Sequence, residues 1–162
     1  SKFNNLHGET LIIPEAITDE NTKLIIGTDG QKMSKSKNNI INIFLSDKQL
    51  KKQIMSIKTD SLPIESIKNP NTCNVFKLYS LIGNEAQVKQ MKENYEKGGY
   101  GYGEAKSQLF NLVLETYSKQ RNTYNYLMDN RSEIDQTLKD GSIRAKKIAD
   151  QVIKRVKSKL GI

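Results

Sequence analysis

Near residue 46 the spacing of apolar residues changes, and this change constrains the fold more than any other feature of the chain. Before it lie short β-branched runs, Glu9–Ile17 and Lys23–Gly27, bounded by Gly, Pro and Asp as strands or strand ends are. Thr28-Asp29-Gly30 then marks a turn. After it, apolar residues recur at spacings of three and four, as they do on one face of a helix. Ser46 is placed to cap a helix carrying Leu50, Ile54 and Ile57, which Asp60-Ser61-Leu62-Pro63 ends, and residues 64–71 read as a loop. A second helix is expected over Thr72–Leu81 with Val75, Phe76 and Tyr79 inward and Gly83 ending it. A third is expected from a cap at Asn84, through Val88, Met91 and Tyr95, to Gly98-Gly99. A fourth is expected from Gly103 to Met128, a short fifth over Ser132–Lys139 broken at Asp140-Gly141, and a sixth carrying Ala145 to Leu160. The fold class is therefore mainly α: a helical bundle over residues 46–162, preceded over 1–45 by the tail end of an α/β unit too small to bury a sheet alone. The chain starts Ser-Lys-Phe without Met, so a piece of a longer protein is expected.

Charge is unevenly spread along the 162 residues, whose net charge is +8. Residues 32–58 carry seven lysines against one aspartate, and residues 131–162 nine basic residues against four acids. Two basic blocks flanking a nearly neutral middle suit a polyphosphate or nucleic acid, because each phosphate contact releases condensed counterions. The plainer reading, lysines solvating helix faces, accounts for the same charges. One cysteine, Cys73, and one histidine, His7, exclude an internal disulfide and a four-ligand Cys/His zinc site, so no metal ligand is named. No apolar run is long enough to span a bilayer and no signal-peptide core follows a basic start. A reducing, cytoplasmic setting without membrane contact is expected.

The chemistry is expected at Lys32-Met33-Ser34-Lys35-Ser36, directly after the Asp29-Gly30 turn. Two lysines and two hydroxyls on a short loop offer cations and donors to a polyphosphate, most usefully as charge grows on a leaving pyrophosphate. Taken alone, the same string is a lysine-rich surface turn. Gly98–Gly103 follows a helix, not a strand, so it is a tight corner and not a dinucleotide fingerprint, with Tyr100 and Tyr102 packing or facing RNA. Cys73 is expected as a packed small residue, His7 as a surface or cap residue, and Asp60 as a cap or pairing residue.

The lysine-loop string is the second signature of class I aminoacyl-tRNA synthetases, and the resemblance to the tryptophanyl branch extends from about Phe3 to the end of the chain. It is carried by Asp29–Ser36 with Asn38-Asn39, by Ile54–Ser61, Asn69–Phe76 and Gly98–Lys106, and by Arg144–Ala149 and the Leu160-Gly161-Ile162 end. The related tyrosyl enzymes usually differ inside the lysine loop and lack the Gly-Tyr-Gly segment. The resemblance implies the end of a Rossmann-type catalytic domain with its lysine loop (1–45) and a helical anticodon-binding domain (46–162). It implies Lys32 and Lys35 as catalytic cations near the ATP phosphates, Met33 against the adenosine through its backbone, and Ser34 and Ser36 on phosphate oxygens. It further implies ATP as substrate with Mg²⁺, tryptophan and tRNA(Trp) as partners, and a homodimer in full length. The family's first signature, a His-x-Gly-His or Thr-x-Gly-Asn element, is absent, since His7-Gly8 is followed by Glu9. This piece alone is therefore expected not to form tryptophanyl adenylate. The alternatives are a stand-alone helical tRNA-binding module without catalysis, or a basic helical scaffold with no RNA role.

Overall fold

A computed structural model describes residues 1–18 and 24–162. Among these the chain is mainly helical, with seven α-helices: α1 Lys2–His7, α2 Asp47–Met55, α3 Asn74–Ser80, α4 Glu85–Lys97, α5 Tyr102–Thr116, α6 Ser118–Asp129 and α7 Arg131–Leu160. None of them is long and apolar enough to cross a membrane. Contacts divide the chain into two compact units, Ser1–Ile17 with Asn125–Ile162, and Thr18–Tyr124. The second unit runs across residues 45 and 46, where the change of period marks the expected boundary. Ile41, Ile43 and Leu45 pack against the same core as the helices that follow.

In the Thr18–Tyr124 unit α5 is the central element, packed on α2 and on α3, with α4 against α3. Its buried residues Ala105, Leu109, Leu112 and Val113 recur at helical spacing and meet Leu50 and Ile54 of α2 and Val75 and Leu78 of α3. Burying each of these Leu, Ile and Val side chains contributes about 1.5–3 kcal/mol. Of the expected caps, Ser46 stands at the start of α2 but its hydroxyl bonds Gln49 Oε1 at 2.8 Å and not the helix backbone, whereas Asn84 caps α4. Asn84 and Gln87 make a reciprocal capping box, each side chain bonding the other's backbone N–H at 2.9 Å. Gly98 ends α4 at φ 79°, where a Cβ would lie 2.6 Å from the Glu65 carbonyl oxygen. Gly83 donates its N–H to Tyr79 O at 2.8 Å, closing α3.

Tyrosines and one lysine organise the chain between α2 and α3. Tyr95 is fully buried, with Phe76, Tyr100 and Tyr102 rings at 5.8, 5.6 and 6.2 Å and Cys73 Sγ 3.3 Å from its hydroxyl. Burial holds the Tyr95 hydroxyl well above the usual phenol range, so it stays protonated. Cys73 and Tyr100 are core residues and Tyr102 packs against the core, as the packing reading expects. Lys68, only 1% exposed, donates to the carbonyls of Pro63, Ile64 and Ser66 at 3.1, 3.1 and 3.0 Å and lies 5.3 Å from the Tyr102 ring centroid. All three ammonium donors are thus satisfied by carbonyl oxygens, and the expected loop is wrapped around a charge. Asp60 accepts from Leu62 N at 3.1 Å and from the Tyr102 hydroxyl at 2.7 Å, the pairing role expected of it.

Three expectations are corrected. No strand forms among the described residues; the one pairing is an isolated antiparallel bridge, Ile26 with Lys32. The Asn4 side chain instead takes the backbone of the first β-branched run, bonding Leu11 N at 3.0 Å and Leu11 O at 2.7 Å. A lone two-residue pairing is too little for a ladder. Lys23, the start of the second run, lies outside the described residues. The expected fourth helix is two, broken at Tyr117, which takes φ −103°, ψ 15° and packs against the core. Arg121 on α6 then reaches the carbonyls of Ile43 and Leu45 and pairs with Asp47, contacts between distant residues that a periodicity does not reveal. The expected fifth and sixth helices are one, α7, which runs through Asp140-Gly141 and ends at Gly161 in the left-handed conformation. A glycine inside a helix costs only about 1 kcal/mol relative to alanine, too little to break 30 residues of helical pattern. His7 ends α1, its ring 4.7 Å from that of Phe3.

Because nothing lies within 4 Å of where a Cβ would sit at Gly141, Gly141→Ala is expected to stabilise α7 by about 0.5–1 kcal/mol. Thermal melts followed by circular dichroism check this, and a lower midpoint in the variant would restore the break at Gly141.

Candidate phosphate-binding loop

The lysine loop is a backbone excursion closed by one buried side chain. Its base is the Ile26–Lys32 bridge, with Met33 N donating to Ile25 O at 2.9 Å and Gly27 N to Gln31 O at 2.8 Å. Gly30, at φ 81°, turns the chain, and its N–H reaches Gly27 O at 3.1 Å. Asn39, 2% exposed, then closes the far side. Its Nδ2 donates to Asp29 Oδ1 at 2.7 Å and to Lys32 O at 3.1 Å, its Oδ1 accepts from Ser34 N at 2.8 Å, and its O accepts from Thr28 N at 2.9 Å. Both donors and both carbonyls of this residue are used, which is what burying an amide demands. Gly27 has to be glycine at this approach: a Cβ there would stand 2.3 Å from Asn39 O.

Between these anchors the five signature residues are displayed unequally. Lys32, Lys35 and Ser36 are exposed, whereas Met33 and Ser34 are half-buried. A single 3₁₀ turn over Lys35–Lys37 closes at Asn38 in the left-handed conformation, φ 52°. Ser34 Oγ and Ser36 Oγ lie 2.9 Å apart, on one side of that turn. Met33 points inward and lines an apolar cavity of about 210 Å³ with Ile25, Ile41, Ile54, Leu78 and Leu109. The ion pairs among the described residues lie elsewhere, at Lys89–Glu93, Lys92–Glu96, Arg121–Asp47 and Lys146–Asp150. The loop thus presents two lysines of the signature, and Lys37, outward from a fixed frame. No group of three or more metal-ligating side chains exists among the described residues.

Asp29 is the acid within this basic stretch. The Asn39 amide, and then the Gln31 N–H at 2.9 Å, hold its carboxyl below the usual carboxylate range. A depressed carboxyl favours the folded loop above the unfolded carboxyl's range, and that contribution is lost as pH falls through the depressed value. The loop frame is therefore complete at neutral pH. Asn39 and Asp29 frame the loop and are not singled out by the motif alone, because their contact depends on a ten-residue closure. The available signal was local: an Asp-Gly turn followed by Asn-Asn just past the loop.

The family model for class I tRNA synthetases (W and Y) matches residues 1–118. The chain belongs to this family. Similar relatives are the tryptophan–tRNA ligase of Campylobacter jejuni strain RM1221, 42% identical over 161 residues, and that of Fusobacterium nucleatum, 41% identical over 162 residues. Each match covers 99% of this chain and 50% of the relative, so the chain spans about half the length of the curated relatives it matches. The crystal structure of C. jejuni tryptophanyl-tRNA synthetase complexed with ADP and tryptophan superimposes with a TM-score of 0.85 at 42% identity, over 99% of this chain and 50% of that one. Family and helical fold thus agree with the resemblance carried by the lysine loop.

Asn39→Asp removes both donors of this synthetase-family loop's closing side chain and sets a carboxylate against Asp29. It is expected to cost about 1–3 kcal/mol at pH 7, the range for orphaned buried groups. The loss should shrink in acid, where a protonated carboxyl can again donate. Urea denaturation at two pH values checks this; equal stability of variant and parent at pH 7 would remove Asn39 from its role.

Proposed function

We propose that this chain supplies the ATP-phosphate loop and the tRNA-binding helices of a tryptophan–tRNA ligase. The observation that carries the reading is the lysine loop, exposed cations on a frame closed by Asn39, in a chain of the class I family. The solved C. jejuni relative is complexed with tryptophan and with ADP, an adenine nucleotide that carries the same adenosine and α-phosphate as ATP. In this reading the tryptophan carboxylate attacks the α-phosphate of ATP and pyrophosphate leaves. Lys35 and Lys32 meet the growing charge on the leaving phosphates, Ser34 and Ser36 hydroxyls bond phosphate oxygens, and the Met33 backbone lies against the adenosine. No protein nucleophile is needed, so positioning and charge stabilisation supply the catalysis. Mg²⁺ would accompany the nucleotide, held by its phosphate oxygens.

Residues 1–45 would then form the end of the catalytic domain and 46–162 the part that holds the anticodon arm of tRNA(Trp). The nine basic residues of 131–162, on a helix with no buried residue, support phosphate contacts there. The complete ligase would be a cytoplasmic homodimer, and this stretch by itself would be inactive. A helical tRNA-binding module without catalysis is the second reading, favoured only by that basic helix.

Tryptophan-dependent ATP–pyrophosphate exchange separates the two readings. The complete ligase is expected to exchange, its Lys35→Ala variant to lose roughly 10²–10³-fold in kcat with little change in tryptophan binding, and this chain alone to give none. Full-rate exchange by this chain would overturn the division of labour. An unaffected Lys35→Ala enzyme would overturn the role of the loop.

A further inference from the structure

The turn that launches the lysine loop is anchored to the helices at one point. Thr28 O accepts the Lys58 N–H at 2.7 Å, just past the end of α2. Lys58 O in turn accepts Nδ2 of Asn74 at 2.9 Å, and Asn74 is the first residue of α3. The same side chain abuts Gly30: a Cβ there would lie 2.8 Å from both Asn74 Nδ2 and Oδ1. Gly30 at φ 81° is therefore held between its own turn and the start of α3. Ile57 and Val75, the neighbours of Lys58 and Asn74, are buried in the core, so both ends of this clasp are fixed.

We propose that Asn74 is a positioning residue for the lysine loop, acting through Lys58 and Gly30 to set where the Thr28–Gly30 turn points the loop. The proposal rests on the phosphate-site reading above for its consequence and on the clasp geometry for its existence. α3 carries core residues against α4 and α5, and this amide ties its first turn to the loop base, beside the apolar cavity that Met33 shares with Leu78 and Leu109. Helix packing and loop attitude are thereby linked within a single compact unit.

Asn74→Asp isolates the effect. It keeps the size of the side chain, and an acid in the first turn of a helix is favourable, but it turns the donor to Lys58 O into an acceptor. In this chain the variant is expected to melt at or above the parental midpoint. Its Lys58 and Gln31 amides, read by NMR, should exchange about fivefold or more faster, as loss of one hydrogen bond implies. Its affinity for inorganic tripolyphosphate should fall by a similar factor. Met91→Ala on α4, a buried core residue away from the clasp, serves as the contrast: it lowers the midpoint while leaving those amides and that affinity unchanged. Unchanged Lys58 and Gln31 exchange in Asn74→Asp, or the same acceleration in Met91→Ala, would overturn the positioning role. Parent chain that binds no tripolyphosphate would instead contradict the phosphate-site reading, while the amides still decide the role of Asn74.

Discussion

The amide of Asn39 holds together two tendencies that oppose each other. A loop carrying Lys32, Lys35 and Lys37 repels itself and favours extended, solvated conformations, yet its backbone is held here in one closed course. Asn39 resolves this with groups from both arms of the loop, taking Lys32 O and Asp29 Oδ1 with its nitrogen and Ser34 N with its oxygen. Preorganisation of this kind is what makes donors effective against charge that develops during a reaction. It also explains Gly27, whose missing side chain admits the Asn39 backbone, and the ionised Asp29, which gives the amide a strong acceptor.

The rest of the Thr18–Tyr124 unit serves to keep that frame still. Ile57 anchors the segment whose next residue holds Thr28, and Val75 anchors the helix whose first residue holds Lys58. Between them, residues 60–70 would be an unconstrained connection but for Lys68, which gathers three carbonyls beneath the Tyr102 ring, and Tyr102 in turn bonds Asp60. A single buried ammonium thus substitutes for secondary structure. The long α7, by contrast, has no buried residue.

How much of this could be read beforehand depends on how local each cause is. The cap at Asn84 and the stop at Gly98 were legible and the structure forms both, while Gln87 completes a capping box the reading did not name and Ser46 makes no side-chain cap bond. Of the inward face expected for α3, Val75 and Tyr79 are buried and Phe76 is half-buried, while Leu78 is buried without having been expected. Elements decided by distant contacts were not legible. The break at Tyr117 goes with Arg121 reaching Ile43 and Leu45, and the expected strands failed where Asn4 took the backbone of Leu11. Gly141 misled in the other direction, because a turn-like dipeptide carries a small penalty that a long helix absorbs. The candidate site was legible as a string, Lys32 to Ser36, but not as a device, since Asn39, Asp29 and Asn74 act across gaps of five to 44 residues.

The central claim is that the lysine loop of this chain is a preformed polyphosphate site. Titration of the isotope-labelled chain with inorganic pyrophosphate, followed by two-dimensional NMR, tests it most directly. The account predicts that shifts concentrate on residues 32–38, that the Ser34 amide is protected from exchange before any ligand is added, and that binding weakens steeply with salt. Shifts spread over the basic face of α7 with none in the loop, or a Ser34 amide exchanging at the rate of an unfolded chain, would contradict it.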